Sequence, residues 1–405
     1  MNNWGLQKLS NLCFRIGDGL HGTPIYVKNS EIYFINGNNL KNGWIEITSN
    51  TKCVSDEELQ NNFIQLNENS LLLSINGTLG SMAFYRNEKV MLGKSAAYLN
   101  FKSQINKFYY YYFQLRSVQD YFFNVATGST IKNLSLKSIQ DFEVPVPKTN
   151  EWNFIVSVLS ALDLKIELNN QINAELEKMA KTIYDYWFVQ FDFPNENGKP
   201  YKSSGGKMVW NEELKREIPE GWEVCDLKDI ANITMGQSPP GESYNEIGDG
   251  MIFFQGCTDF GNRFPTVRKF TTEPTRFAKK GDILLSVRAP VGTLNISKED
   301  CCIGRGLAAL NSKDNCIAYL FGVMVNLKQI FNRRNVDGTT FGSITKDDLF
   351  SLKVIKPKKS ILEQYHSIIN PAFEKQNKLE HENQKLSELR DWILPMLMNG
   401  QVKVN

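Results

Sequence analysis

Several short patterns in the chain have residue types that do chemistry in other proteins. Gly17-Asp-Gly19-Leu-His-Gly22 has the G-x-G-x-x-G spacing that lets a strand-to-helix turn approach a pyrophosphate. Thr23-Pro24 follows at once, so the segment reads as a turn and not as the start of a helix. Ser238-Pro-Pro-Gly241 begins like the Asn/Asp/Ser-Pro-Pro-aromatic motif of amino-methylating DNA methyltransferases. The aromatic that stacks a flipped base is missing from it. Glu213-Leu-Lys215 has the E-x-K spacing of many nucleases, but no metal-binding Asp on a strand precedes it. Seven cysteines without C-x-x-C spacing and three histidines (His21, His366, His381) offer neither a zinc site nor a nucleophile pair. Catalysis by this chain is therefore disfavoured, and its function is sought in binding.

Composition sets the frame for binding. The 405 residues suggest two or three domains of about 150 residues each. Apolar residues make up 41% and charged residues 22%, which suits a globular chain and argues against wholesale disorder. Net charge is only +2, from 46 basic and 44 acidic residues, so any nucleic-acid surface must arise from local sorting of charge. No apolar run approaches the length of about 18 residues that a membrane helix needs. The start, Met1-Asn-Asn-Trp4-Gly, lacks signal-peptide regions. Scattered thiols in odd number suggest a reducing, cytoplasmic setting.

The elements that must position a binding surface occur twice. Gly128-Ser-Thr130 to Pro147 matches Gly338-Thr-Thr340 to Pro357 at an ungapped offset of 210. Leu73 to Gly80 parallels Leu285 to Gly292 at an offset of 212, and Gly93-Lys94 parallels Gly304-Arg305. Trp4, Leu9 and Leu12 match Trp222, Leu227 and Ile230. Each copy opens with short apolar runs separated by Gly, Asn and Pro turns, which read as strands. An aromatic stretch over Phe108–Phe123 reads as a helix, with Ile317–Phe331 as its counterpart. After Pro147 and Pro357 the period changes to steps of three and four. The first seam runs through Ile155, Leu159, Leu162, Ile166, Asn173 and Leu176, and the second through Ile369, Leu379, Asn383 and Leu386.

These periods predict two long helices packed antiparallel, each following a β-rich domain. The boundaries read as 1–147 for domain 1, 148–194 for helix 1, 195–220 for a polar linker, 221–357 for domain 2 and 358–405 for helix 2. Asn173 and Asn383 occupy equivalent seam positions, where they either fix register or lie at a solvated edge. Pro371 either starts a helix after Asn370 or kinks a continuous one. Domains 1 and 2 each carry a net +2, and helix 1 carries −3. Arg263, Arg268, Lys269, Arg276, Lys279 and Lys280 cluster within eighteen residues of domain 2. Phosphate contact and guanine reading both favour such cations, although most single surface cations do neither.

Ile183-Tyr-Asp-Tyr-Trp187-Phe-Val-Gln-Phe-Asp-Phe193 followed by Ile218-Pro-Glu-Gly-Trp222 resembles the central junction of specificity subunits of type I restriction–modification systems. Leu386-x2-Leu389-Arg390-Asp391-x2-Leu394-Pro395-x-Leu397-Met398-x-Gly400 resembles their C-terminal signature. The resemblance spans nearly the whole chain and is one of pattern only in the β-rich parts. It implies an α+β fold in which two β-rich target recognition domains, in pseudo-twofold arrangement, are joined by two long antiparallel coiled-coil helices. Each domain would read one half of a split double-stranded DNA target, and the helices would set the unread gap. Two methyltransferase (M) and two restriction (R) subunits are the implied partners, with no membrane involved. S-adenosylmethionine, Mg2+ and ATP are implied in those partners, and no cofactor or metal in this chain.

On that basis the candidate DNA contacts are Lys28, Asn76, Lys94, Thr130 and Lys132 in domain 1. In domain 2 they are Arg263, Arg268, Lys269, Arg288, Arg305, Arg333, Arg334 and Thr339. The competing reading of each Gly-Thr loop is an ordinary hydroxyl-capped turn. Trp187, Phe188, Trp392, Leu394, Leu397 and Met398 are expected mostly to cap the chain's own core. The rival functions are a stand-alone DNA methyltransferase or nuclease, and a structural protein-binding adaptor.

Overall fold

The computed structural model describes residues 4–336 and 343–402, with side chains undescribed over 329–336. The chain forms two compact units, Met1–Ile166 with Lys385–Asn405, and Glu167–Gln384.

In the first unit, an antiparallel sheet has the order Cys13–Asp18, Ala96–Phe101, Ser70–Ser74, Met82–Phe84. Its two inner strands are buried along their whole length, so both faces are covered and polar alternation is lost. A second sheet has the order Val90–Leu92, Tyr33–Ile35, Cys53–Val54, Tyr26–Val27, and its first pair is parallel. Gly5–Lys8 pairs with Glu143–Val146 and ties the start of the domain to its end.

The aromatic stretch is two helices, Asn106–Tyr112 and Arg116–Val125, and not one. The break falls at Phe113–Leu115, where Gln119 Nε2 donates to the Phe113 carbonyl at 2.6 Å. The rings pack on the sheet, with Tyr109 stacked on Phe101 at 5.2 Å.

The second unit repeats this plan. Its antiparallel sheet has the order Ala231–Met235, Leu307–Ser312, Ile283–Ser286, Leu294–Ile296. The parallel pair recurs as Met251–Phe254 with Cys301–Ile303, inside a five-stranded sheet. Glu223–Asp226 pairs with Lys353–Lys356, matching the closure of the first domain. The counterpart of the split aromatic helices is one helix, Ile317–Val336.

Residues 195–220, expected as a linker, are built into the second unit. Met208–Asn211 and Arg216–Pro219 form a hairpin. Ile218 of this hairpin is buried in the core together with Phe191, Phe193 and Trp222, which lie outside it. The exposed outer face of the hairpin accounts for the polar composition.

The long helices are Thr149–Tyr184 and Lys359–Met398. The second runs through Pro371 without interruption, with the proline on an exposed face where its missing N–H is tolerated best. In the second unit the two helices pack antiparallel: Asn169 Nδ2 donates to Asn383 Oδ1 at 2.9 Å, and Gln376 Nε2 donates to the Asn173 carbonyl at 3.1 Å. Asn383 thus contacts Asn169 and Asn170, not its repeat equivalent Asn173. In the first unit Arg390 binds Asp163 at 2.9 Å, and the Tyr111 hydroxyl donates to the same carboxylate at 2.7 Å. Ile155, Leu159, Ile369 and Leu379 are buried, while Leu162, Ile166, Leu176 and Leu386 are partly buried. Leu394, Leu397 and Met398 join the core of the first unit, and Trp187 and Phe188 join that of the second. Trp392 is exposed.

Candidate nucleic-acid interface

In domain 1 the Gly-Ser-Thr loop is closed by reciprocal backbone bonds between Thr127 and Asn133, at 3.0 and 2.7 Å. Gly128 has φ +107°, and a Cβ there would lie 2.3 Å from the Ile131 carbonyl, so only glycine fits. Asn133 also bridges to Asn76, and Leu134 N–H donates to the Ile75 carbonyl at 2.9 Å. This pairing carries Asn76 and exposed Thr130 on two joined loops. Ser74 Oγ fixes the first of them by donating to the Asn76 carbonyl at 3.2 Å. Lys132 folds back, its ammonium 5.0 Å from the Phe123 ring centre and 3.5 Å from the Ala126 carbonyl. Lys28 and Lys94 are exposed.

Domain 2 builds the same junction with a cation at its tip. Arg288 bridges to Ser343, Ile344 N–H donates to Val287 O at 2.8 Å, and Ser286 Oγ donates to the Arg288 carbonyl at 2.7 Å. Arg288 is exposed. Thr339 lies outside the described residues, and Arg333 and Arg334 fall where side chains are not described. The matching Ser-carbonyl brace explains why Asn76 and Arg288 align in sequence.

The basic cluster of domain 2 divides by environment. Arg263 is turned inward: its guanidinium lies 4.2 Å from the Phe373 ring centre and donates to Asn377 Oδ1 on the second long helix. Burial pushes its pKa down to about 10, against the nearby carboxylates Glu177 and Glu380, so it stays charged. It braces the unit and is not offered to a ligand. Arg268 is paired with Asp259. Lys269 and Arg305 are exposed and line a cleft of about 570 Å³ together with Ser238, Tyr244, Phe253 and Gln255.

The arrangement can therefore hold phosphate with Lys269 and Arg288 and present planar hydrogen-bonding groups from the cleft. Gln255, on the lining of that cleft, was not among the sequence candidates, because the loops between the matched glycines differ in length in the two domains and no single offset aligns them.

A two-domain chain with long helices and paired loop junctions is the architecture of a bipartite reader. A family model described as type I restriction modification DNA specificity domain matches residues 23–178 and 219–390. The chain belongs to this family of type I restriction–modification specificity subunits. It is 32% identical to the putative type I restriction enzyme MjaX specificity subunit of Methanocaldococcus jannaschii, over 75% of this chain and 70% of that one. It is 24% identical to the MjaIX specificity subunit of the same organism, over 99% and 94%. In fold it is similar to the type I restriction–modification S subunit of M. genitalium, with a TM-score of 0.60 and 19% identity over 98% of this chain and 97% of that one.

Proposed function

We propose that residues 1–147 and 221–357 each read one half of a split DNA sequence, and that the two long helices set the unread interval between the halves. The observation that carries this reading is the duplicated loop junction, Asn76 with Asn133 and Arg288 with Ser343, on domains whose four-stranded antiparallel sheets share one strand order. A repeated frame with different side chains at its tip suits a protein that must recognise two different short sequences.

The reading assigns methylation and ATP-driven cleavage to methyltransferase and restriction subunits, two of each, which this chain recruits. S-adenosylmethionine, Mg2+ and ATP are assigned to those partners. The free cysteines, several of them buried, suit the reducing cytoplasm in which such a complex would work.

The test is methylation mapping by single-molecule sequencing in a host that makes this chain with its methyltransferase partner. A single two-part motif with a fixed gap is the expected result. Methylation without a two-part motif, or methylation by the isolated chain, overturns the reading.

A further inference from the structure

The parallel strand pair ends in the same construction in both domains. In domain 1, Gly93 N–H donates to the Ile35 carbonyl at 2.8 Å and Leu20 N–H to the Leu92 carbonyl at 2.8 Å. In domain 2, Gly304 N–H donates to the Phe254 carbonyl at 2.9 Å and Gln237 N–H to the Ile303 carbonyl at 3.0 Å. The crossing chain passes so close that a Cβ on Gly19 would lie 2.0 Å from Leu92 O, and one on Gly236 would lie 2.2 Å from Gly304 O. These bonds align Gly93-Lys94 with Gly304-Arg305, the first two residues beyond their strands, and Asn36 with Gln255, each one residue beyond its strand.

At this point both domains lay a side-chain amide over a glycine. A Cβ on Gly93 would meet Asn36 Oδ1 at 2.4 Å, and one on Gly304 would meet Gln255 Oε1 at 2.8 Å. Each amide is held by a hydroxyl. Ser95 Oγ donates to Asn36 Oδ1 at 2.9 Å, and Gln255 Nε2 donates to Ser238 Oγ at 2.9 Å. Ser238 Oγ also accepts from Arg305 Nε at 3.3 Å. Neither terminal nitrogen of the exposed Arg305 guanidinium has a hydrogen-bond partner among the described residues. Tyr244 stacks on Phe253 at 4.8 Å behind the group and stiffens the cleft wall, and Lys269 supplies a cation on the cleft lining.

We propose that Gln255 and Arg305 are the base-reading pair of the second domain, and that Asn36 and Lys94 hold the same two places in the first. The inference rests on the DNA-reading role proposed above and adds the residues that discriminate bases. An amide matches the N6/N7 edge of adenine, and a free guanidinium fork matches O6/N7 of guanine. The backbone frame is held constant by glycines, while the reading pair changes from Asn/Lys to Gln/Arg. That is how one frame reads two sequences.

The test maps methylation for the complete complex carrying Gln255→Ala, Arg305→Ala, Arg305→Lys or Asn36→Ala. The half-site of domain 2 is identified as the one that stays fixed when residues 1–147 are exchanged. Gln255→Ala and Arg305→Ala should each relax one base position there by about tenfold and leave the other half-site unchanged. Arg305→Lys keeps the charge and puts at this place the same donor that Lys94 supplies in the first domain, so a changed preference at that one position with methylation retained separates reading from phosphate attraction. Asn36→Ala should relax the other half-site. Unchanged motifs in all variants, or a uniform fall in methylation at every site with the motif intact, overturns the assignment while leaving the bipartite function standing. A wild-type complex without a two-part motif overturns the function and the assignment with it.

Discussion

Arg263 and Lys269 lie six residues apart and have opposite surroundings. Arg263 stacks on Phe373 and binds Asn377, whereas Lys269 faces an open cleft. Phosphate contacts release counterions and set the salt dependence of binding, while an internal brace affects only folding. Lys269→Ala should therefore reduce the slope of log affinity against log salt by about one, at every sequence tested. Arg263→Ala should leave that slope unchanged and cost about 1–3 kcal/mol of unfolding free energy, through a lost charged hydrogen bond and a lost ring contact. Duplex titrations over a salt series, paired with urea unfolding, read both effects. A reduced slope for Arg263→Ala would return it to the DNA contacts. The cationic character of this region was legible in the sequence, but the division of labour was not. The partners that capture Arg263 sit more than a hundred residues downstream, and no local spacing reveals them.

The long helices were legible as elements because steps of three and four are a property of neighbouring residues. Their cross-contacts were not, because antiparallel packing opposes positions from opposite ends and so separates repeat equivalence from contact. Asn383 therefore meets Asn169 and Asn170, while Asn173 offers only its carbonyl to Gln376. The linker hairpin was missed for a related reason: its exposed strands carry polar residues, and its anchors Phe191, Phe193 and Trp222 lie outside it. Asn169 and Asn383 are hydrogen-bonded where the helices meet, a buried polar pair of the kind that can fix register at a cost in stability. Asn383→Leu alone should destabilise the second unit by about 1–3 kcal/mol, because Asn169 keeps only Glu382 of its two acceptors and Asn170 loses its donor. The double variant Asn169→Leu/Asn383→Leu should recover that loss and broaden the distribution of gap lengths in mapped methylation sites. A double variant with the wild-type gap would show that packing alone sets register.

At the scale of the whole molecule, each unit joins one β-rich domain to segments of both long helices. The repeat was visible in sequence because one offset survives from the Gly-Thr loop through the closing strand, where register with the domain's first strand leaves no room for insertions. The recognition loops drifted, since loop length there is free of such register. Reading and spacing should accordingly be separable. Exchanging residues 1–147 for those of a relative should change one half-site and keep the gap. Inserting one heptad at matched points of both long helices should do the reverse. Seven residues add about 10 Å of helix, or about three base pairs of B-form duplex, so the gap should grow by about three while both half-sites stay as they were. Methylation mapping of the two variants beside the parent decides it. A heptad insertion that leaves the gap unchanged, or a domain exchange that alters both half-sites, would sever the helices from the role of ruler.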